Sequence, residues 1–130
     1  MEGLWPLLKA IHLLSFAVWT AAGLGAYLVV RDICNDDVLA KYRQVAHLQA
    51  LALAALGATG LIMAHALGFP SWTKAAALLY GPLVVLELLH ISATENCTKL
   101  KRLVNALTPI WTLLLVAILY LKLYKPTLAP

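Results

Sequence analysis

Charge is what this chain has least of. Only 12% of its 130 residues are Asp, Glu, Lys or Arg, where a soluble domain carries about a quarter. So few charges cannot cover a water-facing surface, which excludes an ordinary soluble protein. Acidic residues number six, and Glu87 alone lies inside a long apolar run. Cysteine is almost absent: Cys34 and Cys97 form no CxxC or CxxCH pattern, so covalent c-type haem attachment is unsupported. Two methionines make a weak case for copper. No Gly-rich phosphate loop, GxSxG or HExxH motif occurs, and Ser15, Ser71 and Ser92 have no evident base–acid partners. Hydrolysis and nucleotide binding therefore have no footing. The first apolar run is preceded by Glu2 and no basic segment, and it is too long for a cleavable signal peptide.

Apolar sequence fills the space these absences leave. The chain is 62% hydrophobic with a mean hydropathy of +0.83. Residues 10–30, 44–73 and 103–121 carry no charge, and 75–94 carry only Glu87. A helix needs about 20 apolar residues to cross a bilayer. The pattern predicts four transmembrane helices, at about 8–30, 45–68, 74–94 and 104–124, in one domain over 1–130. The connections are short, so the expected fold is an all-α integral membrane protein, an antiparallel up-down four-helix bundle. Gly81-Pro82 predicts a kink in the third helix.

The net charge of +4 comes from basic residues at the ends of apolar runs. There they anchor helices in the lipid bilayer and set orientation, and do not indicate nucleic acid. The first and third links hold six of the ten, Arg31, Lys41, Arg43, Lys99, Lys101 and Arg102; Lys9, Lys74, Lys122 and Lys125 lie opposite. This excess places the links in the cytoplasm and both termini outside the cytoplasmic membrane. Trp5, Trp72, Tyr120 and Tyr124 would form an outer aromatic belt. Cytoplasmic cysteines are expected as free thiols; with the topology inverted, they could pair.

Four histidines remain to be explained. His12 and His65 fall near one membrane surface, His47 and His90 near the other. His47 and His65 are 18 residues apart, five helical turns, so they share one face about 27 Å apart. Leu51, Ala54, Ala58 and Leu61 lie between them on that face. Imidazoles from facing helices are ordinary axial ligands for haem iron. Two pairs, His12 with His65 and His47 with His90, would make a b-type cytochrome with one or two haems. Each histidine alone could instead be solvated or hydrogen-bonded to a neighbouring helix.

Other groups qualify this picture. Glu87 precedes His90 by three residues, a Glu-x-x-His motif of the kind di-iron bundles use twice. One copy without further intramembrane carboxylates argues against di-iron; Glu87 would orient His90, transfer protons or sit wet at the interface. Lys9 and Lys74 could meet a haem propionate or an anionic substrate, or simply snorkel. Trp19, seven residues after His12, would lie beside a macrocycle or fill the core.

The stretch KAIHLLSFAVWTAAGL, from Lys9 to Leu24, resembles the opening helix of the HemJ-type protoporphyrinogen oxidases and of related small membrane families that include CopD. SWTK before the third helix and ATGLIMA in the second are similar to motifs of the same families. The resemblance implies a compact helical membrane protein holding b-type haem through His12, with His12 and Lys74 important for function. Three readings stay open: a haem protein passing electrons to or from a quinol, a porphyrin or a redox-protein partner; a HemJ-like porphyrinogen oxidase, an enzyme in the strict sense; and a non-redox transport or accessory subunit. Self-association or membership of a larger complex is compatible with each.

Overall fold

The computed structural model describes residues 3–125, so the remaining residues of the 1–130 domain lie outside the description. The described chain is all-helical: α1 (Trp5–Asp32), α2 (Asp36–Ala66), α3 (Ser71–Ser92) and α4 (Cys97–Tyr124). All four are long and apolar enough to cross a membrane, the pattern of a multi-pass membrane protein.

Two helices begin well before the expected positions. The charged first link is almost entirely the start of α2. Asn35 caps it, its side chain accepting the Val38 N–H at 3.0 Å, and Asp36 and Asp37 occupy the first turn. Carboxylates there favour the positive end of the helix dipole. Asn96 caps α4 in the same way, accepting the Lys99 N–H at 2.7 Å. Between α2 and α3 the chain turns through Gly68 and Phe69, both at positive φ; Gly is the natural residue for such a helix stop. α3 then continues through Gly81-Pro82 without ending.

The interior forms two apolar clusters. Trp19, Leu53, Leu56, Leu83 and Ile118 make one. Val30, Leu39, Tyr42, Ala93 and Leu100 make the other. α1 packs most closely on α2, and α4 most closely on α3. Glycine permits part of this approach: a Cβ on Gly57 would overlap the Tyr80 ring, whose hydroxyl donates to the Leu53 carbonyl at 2.7 Å.

Polarity is inverted relative to a soluble protein. Leu78, Leu123 and Leu113 are 78%, 76% and 71% exposed, while Gln49, Glu87 and His12 are 3%, 6% and 7% exposed. Large apolar side chains face outward and polar ones inward, as a lipid solvent requires.

The cysteines correct one expectation. Cys34 and Cys97 are not free thiols; they form a disulfide with Cα atoms 5.9 Å apart. Cys34 follows α1 and Cys97 opens α4, and the Arg43 guanidinium binds the Thr94 carbonyl at 2.8 Å beside them. The first and third links thus meet at one end of the bundle. Such a bond persists in an oxidising compartment.

Candidate functional site

Two buried polar clusters occupy opposite ends of the helix bundle. The first is built on α1, where His12, Ser15 and Trp19 form a buried stripe at the spacing of one helix face. The His12 ring faces Thr59 of α2, with Nδ1 2.8 Å from Oγ1, and its Nε2 meets the Lys122 ammonium of α4. Gly60 gives the ring room, since a Cβ there would stand 3.2 Å from His12 Cε1.

Hydrogen-bond bookkeeping fixes the tautomer. The Thr59 hydroxyl has one proton, directed to the Ala55 carbonyl at 2.7 Å and the Leu56 carbonyl at 3.2 Å. It therefore accepts from His12, which places the imidazole proton on Nδ1. Nε2 keeps its lone pair and accepts from Lys122. The imidazole is held as an oriented base facing an acid.

The second cluster joins α2 and α3. The Tyr42 hydroxyl meets His90 Nε2, edge-on to the ring, with centroids 5.1 Å apart. If the phenol donates, His90 carries its proton on Nδ1, which lies 3.9 Å from Glu87 Oε1. That separation is too long for a hydrogen bond. Glu87 borders two cavities, of about 80 and 150 Å³; Gln49, Tyr27 and Thr108 line the smaller.

Between the clusters, Trp19 packs against Trp111 with ring centroids 5.4 Å apart. Among the described residues, four buried polar atoms have no hydrogen-bond partner: Trp19 Nε1, Thr20 Oγ1, Gln49 Oε1 and Glu87 Oε1. They run along the core from the level of the first cluster to the second.

The described contacts do not bring the expected histidine pairs together. His47 and His65 do share a face with Leu51, Ala54, Ala58 and Leu61, but that face is exposed. The buried stripe of α2 runs through Leu39, Tyr42, Ala46, Gln49, Leu53, Leu56 and Thr59, so both imidazoles lie off it. His47 Nδ1 donates to its own helix at the Arg43 carbonyl, 2.6 Å away, and His65 stands edge-on to Phe69. Among the described residues no hydrogen bond or ring contact joins His12 to His65 or His47 to His90. Lys9 and Lys74 are both exposed and make no described side-chain contact; Lys122 is the lysine that reaches His12.

For a haem, this packing offers one candidate ligand. His12 Nε2 has the donor chemistry of an axial ligand. The second imidazole is missing, however, and both cavities are smaller than the ~300–1,000 Å³ typical of cofactor sites. No group of three His, Cys, Asp or Glu side chains gathers as metal ligands among the described residues.

Sequence patterns missed Lys122, Thr59, Tyr42 and Gln49. A signal existed for Tyr42 and Gln49, seven residues apart in α2 and so on one face. Lys122 carried none, because it resembles any basic residue at a helix end. No family model, curated protein or solved structure matches the chain.

Proposed function

We propose that this protein is an up-down antiparallel four-helix bundle of the cytoplasmic membrane that relays protons through its core. The carrying observation is the pair of buried ionisable clusters, His12–Lys122 and Tyr42–His90–Glu87, in a chain whose outer faces are apolar. Ionisable groups at membrane depth are costly and usually mark a proton or ion pathway. Each cluster holds a histidine, the side chain that most often serves as a proton shuttle. The unpartnered polar atoms between the clusters support the same reading, because buried polar atoms normally find ordered water, and water completes a proton path. The relay corresponds to the non-redox transport alternative.

Purified protein in liposomes carrying a luminal pH dye, under an imposed potassium-diffusion potential, tests the relay. Proton flux above that of empty vesicles is expected, and it should fall in His12→Ala and Glu87→Gln. Equal flux in protein-containing and empty vesicles would overturn the proposal.

A b-type haem role is the second reading, favoured by one observation: Thr59 fixes His12 Nδ1–H and leaves Nε2 as a buried lone pair. Haem, if bound there, would supply one-electron chemistry. His12 would be its ligand and Thr59 the group that orients the ring. A reduced-minus-oxidised absorption spectrum of protein expressed with haem supplied decides this reading; no b-type band removes it.

A further inference from the structure

We propose that the cavity beside Glu87 is a binding site for a single monovalent alkali cation, such as sodium. The site does not need the relay, although it shares Glu87 with it, and it rests on acceptors that lack donors. Glu87 Oε1 and Gln49 Oε1 are both buried without a hydrogen-bond partner, on residues 6% and 3% exposed. Both residues line the same cavity of about 80 Å³, which exceeds the roughly 10–15 Å³ one water needs.

Two nearby hydroxyls are already engaged. The Tyr42 hydroxyl is engaged with His90, and the Thr108 hydroxyl donates to the Val104 carbonyl at 2.6 Å. The Gln49 amide nitrogen is turned toward α1; a Cβ on Gly23 would lie 2.5 Å from it. Gly23 thus lets the amide lie against the helix with its oxygen left over. His90 Nδ1 stops 3.9 Å from Glu87 Oε1.

An excess of oxygen acceptors around one carboxylate calls for a cation. Charge selects its valence. An ionised Glu87 would bring one negative charge, and a buried charge is stable only when balanced. Calcium sites usually gather several carboxylates, whereas one carboxylate balances one positive charge. The Glu87 carboxylate and Gln49 amide oxygen would be the principal ligands, with Thr108 and Tyr27 lining the remaining space.

Equilibrium binding of radiolabelled sodium to the purified full chain, by scintillation proximity without any gradient, tests the site. Saturable binding is expected, displaced by excess unlabelled sodium chloride and not by choline chloride. Glu87→Gln should abolish it, and Gly23→Ala, which forces the Gln49 amide to move, should weaken it about tenfold. Each variant is first checked for a monodisperse elution profile. Wild-type protein that binds no sodium, or Glu87→Gln that binds as wild type, overturns the proposal. So does binding displaced by calcium more readily than by sodium. Sodium binding without proton flux would sink the relay alone; flux without sodium binding would sink this site alone.

Discussion

Replacing Thr59 with valine is the sharpest test of the His12 geometry. Valine keeps the branched shape but removes the oxygen that accepts from His12 Nδ1, 2.8 Å away. The carbonyls of Ala55 and Leu56, which the hydroxyl also reaches, belong to the helix ladder and lose little. The main cost is one buried N–H left without an acceptor, about 1–3 kcal/mol. Thr59→Ser restores the oxygen and should recover most of that loss, less a fraction for the missing methyl. Two readouts are needed. Unfolding in mixed micelles, followed through tryptophan fluorescence, should show the drop of about 1–3 kcal/mol for valine and much less for serine. Nitrogen NMR of labelled histidine should place the wild-type His12 proton on Nδ1, and the valine variant should lose that preference. A valine variant as stable as wild type, or a wild-type Nε2–H tautomer, would refute the hydrogen-bond assignment.

Three further outcomes follow from the packing. Lys122→Met removes the ammonium facing His12 Nε2 and should cut proton flux by about 10²-fold, the low end of what a positioned acid contributes; undiminished liposome flux argues against the pairing. Gly57→Ala drives a methyl into Tyr80 and should destabilise by about 1–3 kcal/mol of overpacking, despite roughly 1 kcal/mol gained in helix propensity, as micellar unfolding would register. Reducing the disulfide releases a loop of sequence separation 63 and should cost about 4 kcal/mol on the loop-entropy scale. A membrane-impermeant maleimide should label the reduced cysteines from the oxidising side; protection there would restore the cytoplasmic placement of the links.

Much of the helical layout was legible in the sequence, because long uncharged runs have few uses other than spanning lipid. The helix starts were not. Asn35 and Asn96 sit in charged stretches that hydropathy treats as links, although an Asn before a helical run is a capping signal. Within the site, His12, Trp19, Glu87 and His90 stood out as rare residues in apolar surroundings. Their partners did not, since contacts such as His12–Lys122 join residues 110 positions apart, and only helix packing decides them. His47 and His65 show the opposite limit. Periodicity gave their common face correctly, but it cannot say whether that face turns inward. The disulfide was hidden by charge counting, which favoured the reducing side by six basic residues to four.

That disulfide also divides the chain mechanically. It closes α2 and α3 into a covalent ring and leaves α1 and α4 as two tails leaving from neighbouring points. The tails behave as the arms of a pair of tongs, pivoted at Cys34 and Cys97. At the pivot their spacing is fixed by covalent bonds. At the tips, where no such bond exists, the clasp between the arms is His12 with Lys122. Protonating the imidazole would set two positive charges against each other across that clasp, so any opening of the bundle should start at the tips while the hinge end stays shut.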